Sequence, residues 1–316
     1  MNRFDERAGQ VVPAYWHSDT ADDVLDQRAK WPSAVVSERK SLMLLQKLSN
    51  AEYHARPELG SSTLKLLDRE GPEYVAASIA SKPESESRAL VIGSAVHAVM
   101  DGTFESSYSV APDSYKTADS VKFAEFCAGQ DRPVLTYREA AEVRACGEAL
   151  RSKIGQSMVG KTCHVEASLF WQQQTASYFV PCKCRPDLLI EDDSGGVTYV
   201  EIKTAASSGQ RAWRSACWSF GYWLQQAHYE AGILASGAKS VRTVFAVVRK
   251  SAPHDVRCYE FSSDDKAAAE TQWMALVEEY GRRVASGDWL ADTLAQPTEI
   301  ALGLRDTSLL EGFDDD

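Results

Sequence analysis

Two strand-patterned runs, Tyr178 to Ile190 and Val197 to Thr204, flank the short acidic loop Glu191-Asp-Asp-Ser-Gly-Gly196 and must turn back on each other. The paired glycines supply the positive φ that a tight connection requires. With the loop centred near residue 194, Asp187 and Glu201 fall opposite one another, because both lie seven positions from the centre. Directly opposed antiparallel residues hold their Cβ atoms about 4.5 to 5.5 Å apart on one face. Period-two alternation adds Lys203 to that face and turns Ile202 to the other. Two bare carboxylates this close would repel and shift each other's pKa, so the arrangement suits a shared hard cation such as Mg²⁺ or Mn²⁺.

The rest of the chain places helices around this hairpin. Upstream, Ser37 to Leu48 reads as a helix, Thr63 to Leu67 begins another after a Ser61-Ser62 cap signal, and Ala89 to Met100 is an apolar helix carrying His97. Residues 101–118 read as loop. Thr136-Tyr-Arg-Glu139 is a capping box that opens a helix to about Lys153. His164 to Trp171 alternates as a strand before the hairpin, in a register that sets Glu166 roughly opposite Lys183, with a salt bridge to Lys183 or Arg185 as the alternative to a role in the site. After Lys203, apolar residues from Trp213 to Leu234 recur at threes and fours and predict one helix from Trp213 to about Ser236. Val241 to Val248 and Val256 to Phe261 read as strands, and Ser262 or Ser263 caps a last helix to about Ala285.

No repeat or flexible linker divides this order, so one domain at residues 50–286 is expected, after an accessory arm at 1–49 and before an acidic tail at 287–316. No run approaches about 18 apolar residues and the N-terminus lacks an apolar signal region, so no membrane association and a cytoplasmic location are expected. Seven cysteines without a C-x-x-C pair are expected to be buried, reduced thiols. The net charge of −11 argues against a polyanionic partner. Yet the last fourteen residues hold one Arg against five acids and alone account for −4, and carboxylates that hold metal read as acidic while the loaded site does not.

Arg185-Pro-Asp187 followed after thirteen residues by Glu201-Ile-Lys203 resembles the PD-(D/E)XK nuclease superfamily. Two further features resemble its RecB-type branch: small residues leading to His97 on an upstream helix, and Gln225 with Tyr229, four apart on the helix after Lys203. Asn50-Ala-Glu-Tyr-His54 through Gly60-Ser-Ser-Thr-Leu-Lys-Leu-Leu67, then Gly71-Pro-Glu-Tyr74, resemble the nuclease domain of the RecE (exodeoxyribonuclease VIII) group of phages and prophages, over roughly residues 50 to 285. The four flanking cysteines of iron–sulfur members of the branch are missing.

The resemblance implies a restriction-endonuclease-like α/β (α+β) core with a central mixed sheet flanked by helices. It implies His97, Asp187 and Glu201 as ligands of Mg²⁺, with Mn²⁺ able to substitute, and Lys203 as the residue that orients water or stabilises phosphate charge. Glu166 joins the catalytic set, and Gln225 and Tyr229 position the scissile strand. The implied activity is 5′→3′ resection of linear double-stranded DNA ends, leaving a 3′ single strand for an annealing recombinase, in a bacterial or phage-infected cell and from a ring-shaped homo-oligomer. Arg211, Arg214, Arg249, Lys250, Arg282 and Arg283 are candidate phosphate contacts. The motifs leave open an endonuclease or single-strand nuclease, and a non-catalytic DNA-binding member.

Overall fold

The computed structural model describes residues 46–80, 87–115 and 121–290. The arm before Gln46 and the tail beyond Leu290 lie outside the described residues, as does most of the helix expected from Ser37. In chain order, α1 (Asn50–Ala55), α2 (Ser61–Glu70), α3 (Pro72–Ala80), α4 (Arg88–Asp101), α5 (Phe104–Ser107), β1 (Ser109–Val110), α6 (Val121–Ala128), β2 (Val134–Leu135) and α7 (Tyr137–Ile154) come first. Then follow β3 (Thr162–Val165), β4 (Leu169–Gln174), β5 (Phe179–Cys184), β6 (Leu188–Glu191), β7 (Gly196–Ala205), α8 (Gln210–Ser219), α9 (Tyr222–Ala235), β8 (Ser240–Arg249), β9 (Val256–Tyr259) and α10 (Ser263–Ser286).

The capping box at α7 forms as expected: the Glu139 amide donates to Thr136 Oγ1 at 3.2 Å and the Thr136 amide to Glu139 Oε2 at 2.8 Å. Ser262 caps α10 with its hydroxyl alone, which accepts from the Asp265 amide at 3.1 Å. Five strands form one mixed sheet in the order β3-β6-β7-β8-β9, with β7 and β8 parallel and the other pairs antiparallel. The α/β core with a central mixed sheet flanked by helices is thus the observed fold. Alternation along the strands feeds two cores. Leu188, Ile190, Val200 and Ile202 pack with α4 and α7, while Leu189, Val197 and Tyr199 pack with Ile233 of α9 on the opposite face.

Three expected elements are broken in two. The strands predicted at 164–171 and 178–190 each bend, so that β3 pairs with β6 while β4 pairs with β5 in a separate ribbon. Both pairings keep one register, and carrying it across the gap sets Glu166 opposite Asp187, confirmed by the Glu166 amide donating to the Asp187 carbonyl at 3.1 Å. Lys183 instead pairs with Phe170, which corrects the register expected for Glu166. The helix predicted from Trp213 to Ser236 is interrupted at Gly221, whose φ of 59° is left-handed, so α8 and α9 meet at a corner. The cysteines are free; Cys146, Cys182, Cys184 and Cys217 are buried as expected, but Cys127 and Cys163 are half-buried and Cys258 is exposed. Among the described residues no helix is long and apolar enough to cross a membrane.

Candidate active site

The hairpin pairs Leu188 with Val200, and the same register places Asp187 across from Glu201. Asp187 closes the ladder with its side chain: the Ile202 amide donates to Oδ2 at 2.7 Å. That leaves Oδ1 facing His97 of α4, whose Nδ1 is 3.2 Å away. Helix α4 approaches closely because its residues there are small; Gly93 faces the Thr204 side chain at the end of β7. Glu166, at the bend between β3 and β4, brings Oε1 to 3.9 Å from the same imidazole nitrogen. Its other oxygen lies 3.5 Å from Arg185, which also donates to the Glu166 carbonyl and to the Leu48 carbonyl. Glu166 therefore stands at the site and is paired to Arg185 at once.

Tyr199, Glu201 and Lys203 share one face of β7, as strand alternation requires. Glu201 is buried at 3% exposure and accepts three hydrogen bonds, from Lys203 Nζ at 2.5 Å, from the Gln225 amide of α9 and from the Tyr199 hydroxyl. Gln225 in turn accepts from Lys65 of α2 at 2.9 Å. The ammonium groups of Lys203 and Lys65 lie 4.8 and 5.3 Å from the centre of the Tyr222 ring, a cation–π arrangement that holds both at one place. Tyr229 sits 5.5 Å from the Tyr199 ring and so backs the same carboxylate at one remove. Gln225 thus reaches Glu201 directly, and Tyr229 lies behind it.

The charges are tuned by these contacts. Burial disfavours charge on Asp187, but His97, Lys203 and the Ile202 amide outweigh it and hold the carboxyl below its usual range. Burial likewise opposes the imidazolium, yet Asp187 lifts His97 to about 9. Burial and Asp187 push Glu201 up against the pull of Lys203. Against burial, Glu201 and Asp187 keep Lys203 firmly an ammonium. Lys65 is the contrary case: burial and the adjacent Lys203 lower it to about 7. Burial also raises Glu166.

Among the described residues no three His, Cys, Asp or Glu side chains already stand as a closed ligand set. The donor chemistry nonetheless fits a hard divalent cation. The 3.2 Å between His97 Nδ1 and Asp187 Oδ1 is close to the roughly 3 Å that separates adjacent ligands of an octahedral ion with bonds of about 2.1 Å. Glu201, with about four lone-pair positions and three hydrogen bonds, keeps one free.

Lys65 and Tyr199 were not among the residues expected here. Tyr199 was legible in the alternation with Glu201 and Lys203, whereas Lys65 sits between two leucines on a distant helix and carries no local signal. Of the expected phosphate contacts, Arg249 is paired with Asp255, and Arg282 and Arg283 are paired with Glu279. Arg211 and Arg214 are exposed on α8.

The description of a PDDEXK-like domain of unknown function (DUF3799) matches residues 60–286. A crystal structure of a provisionally assigned exonuclease from Eubacterium rectale aligns with a TM-score of 0.50 at 12% identity, covering 85% of this chain and 100% of its own, a likeness of fold. The crystal structure of SSO0001, 15% identical, covers 76% of this chain and 98% of its own at a TM-score of 0.29, too low to bear on the fold. No curated protein sequence matches the chain. The matched span takes in α4, the hairpin and α9, the elements that assemble the acid, acid and lysine set, and the chain belongs to the PDDEXK-like DUF3799 family of the PD-(D/E)XK superfamily.

Proposed function

We propose that the protein is a metal-dependent deoxyribonuclease that hydrolyses DNA phosphodiester bonds. The observation that carries this reading is the meeting of His97, Asp187 and Glu166 at one point beside the buried Glu201 and Lys203. His97, Asp187 and Glu201 would hold Mg²⁺, or Mn²⁺ in its place, which when bound supplies Lewis acidity toward the phosphate and nucleophilic water at neutral pH. Lys203 keeps its proton throughout and places a positive charge where negative charge grows on the phosphate. Gln225 and Tyr199 fix the Glu201 carboxylate so that Lys203 is aimed rather than loosely tethered. Lys65, tied to Gln225 and lowered to about 7, places a second amine at the same ring that is about half protonated at neutral pH.

The resemblance to the RecE group extends the proposal to 5′→3′ resection of linear duplex ends by a ring-forming homo-oligomer that hands a 3′ strand to an annealing recombinase. Linear duplex DNA labelled at either end tests both parts. Wild-type protein with Mg²⁺ should release the 5′ label first, and chelation should stop digestion. Glu201→Ala and Lys203→Ala should each lower the rate at least 100-fold, the order of magnitude of removing one preorganised charge-stabilising group. Undiminished digestion by either variant would overturn the site, and release from the 3′ end would overturn only the polarity.

A further inference from the structure

Helix α8 joins the strand that carries Lys203 to the helix that carries Gln225, and its two faces differ sharply. Trp213 and Cys217 are buried against Phe245 and Val247. On the outer face, Arg211, Arg214 and Trp218 recur at i, i+3 and i+7 and form one exposed stripe. Trp218 is 73% exposed and Phe220, at the corner after the helix, 56%. Apolar side chains exposed together as a contiguous patch mark interaction surfaces. Neither Arg211 nor Arg214 has an ion pair with any described residue.

The corner that follows the stripe reaches the site. The Tyr222 ring, on which the Lys203 and Lys65 ammonium groups rest, lies 5.7 Å from the Phe220 ring. Trp223 follows in sequence and lies 6.5 Å from Trp218. Arg214, Trp218 and Trp223 line one wall of a groove of about 390 Å³ whose other wall is the start of α10. Its two acids are engaged, Glu260 with Arg242 and Asp265 as acceptor from the Ser262 hydroxyl. Aromatic rings flanked by unpaired arginines and leading away from a phosphate-directed lysine are the combination that binds single strands, where each base offers a π-face and each phosphate a charge. A duplex cannot use it, since its bases are already stacked on one another.

We propose that the surface running from Tyr222 over Phe220 to Trp218, flanked by Arg211 and Arg214, is a track for single-stranded DNA entering or leaving the site. The proposal rests on the deoxyribonuclease reading for its direction, but its test does not. Binding of a fluorescein-labelled twelve-residue oligothymidylate is followed by anisotropy in the presence of EDTA, where no metal-dependent hydrolysis occurs. Trp218→Ala should weaken binding about tenfold, as expected for loss of one stacked base. Arg211→Ala with Arg214→Ala should weaken it and flatten the slope of log K against log salt by about 1.4, two phosphate contacts on a single strand. Because all three side chains are exposed, the variants should retain the wild-type melting temperature. Wild-type affinity and salt slope in both variants would overturn the track. So would a change in sedimentation of Trp218→Ala with unchanged oligonucleotide binding, which would mark the stripe as a contact between copies of the chain. The nuclease reading fails separately, through undiminished digestion of duplex by Lys203→Ala.

Discussion

Glu166 has a φ of 47°, in the left-handed region that costs a residue with a Cβ about 1 kcal/mol. The surroundings hold it there: its amide is bonded to Asp187, and its carbonyl and carboxylate both face Arg185. Backbone and carboxylate contributions can be separated with two variants that both remove the acid. Glu166→Gly should be more stable than Glu166→Ala by about 1 kcal/mol in urea denaturation, because only alanine keeps the left-handed strain. Equal stability would mean that the bend relaxes when the acid is removed. At this scale Asp187, Glu201 and Lys203 were legible, since loop centre and strand alternation are local arithmetic. The true neighbour of Glu166 was not, because the turn closes at Thr175 to Tyr178, where the Thr175 amide donates to the Tyr178 carbonyl at 2.9 Å, later in the chain than the centre of the polar run Gln172 to Ser177, and this moves the register from Lys183 to Asp187.

Helix α4 brings His97 to the sheet only because α7 lets it come close. A Cβ built at Gly147 would lie 2.8 Å from the Cβ of Val99, two residues beyond His97, and that atom cannot rotate away. Gly147→Ala gains helix propensity of roughly 1 kcal/mol but must separate the helices, and overpacking typically costs about 1 to 3 kcal/mol. The overlap wins: thermal denaturation should show a melting temperature lower by a few degrees, with reduced nuclease activity as His97 shifts. Adding Val99→Gly, which removes that Cβ, should recover activity; failure to do so would show that the contact does not set the position of α4. Periodicity announced α4, the hairpin and the capped helices α7 and α10. It did not announce the breaks, because a bent strand alternates just as a straight one does, and because the apolar spacing runs through the left-handed corner at Gly221 without a change of phase.

Across the whole molecule the net charge of −11 is unevenly placed, with −4 in the last fourteen residues and three acids gathered at the site. What joins the remaining layers is a neutral group. His228 of α9 is fully buried; its Nδ1 accepts from the Trp273 indole of α10 at 3.1 Å and its Nε2 donates to the Lys183 carbonyl of β5 at 3.0 Å. A proton on Nδ1 would face another N–H, and burial, against the pull of the nearby carbonyls, lowers the imidazole from 6.5 to about 4. The unfolded chain therefore binds a proton below about 6.5 that the fold refuses until about 4. Stability should be intact above pH 6.5 and fall as pH drops through that window, levelling off below it. At about 1.4 kcal/mol per pH unit the loss amounts to about 3 kcal/mol. Urea denaturation in EDTA between pH 7 and pH 4, for wild type and His228→Gln, isolates the effect, because the opposite titration of His97 is common to both proteins and cancels in the difference. The variant should be less stable at pH 7 yet lose less of its stability on acidification, and parallel curves would show that His228 is not what couples this fold to acid.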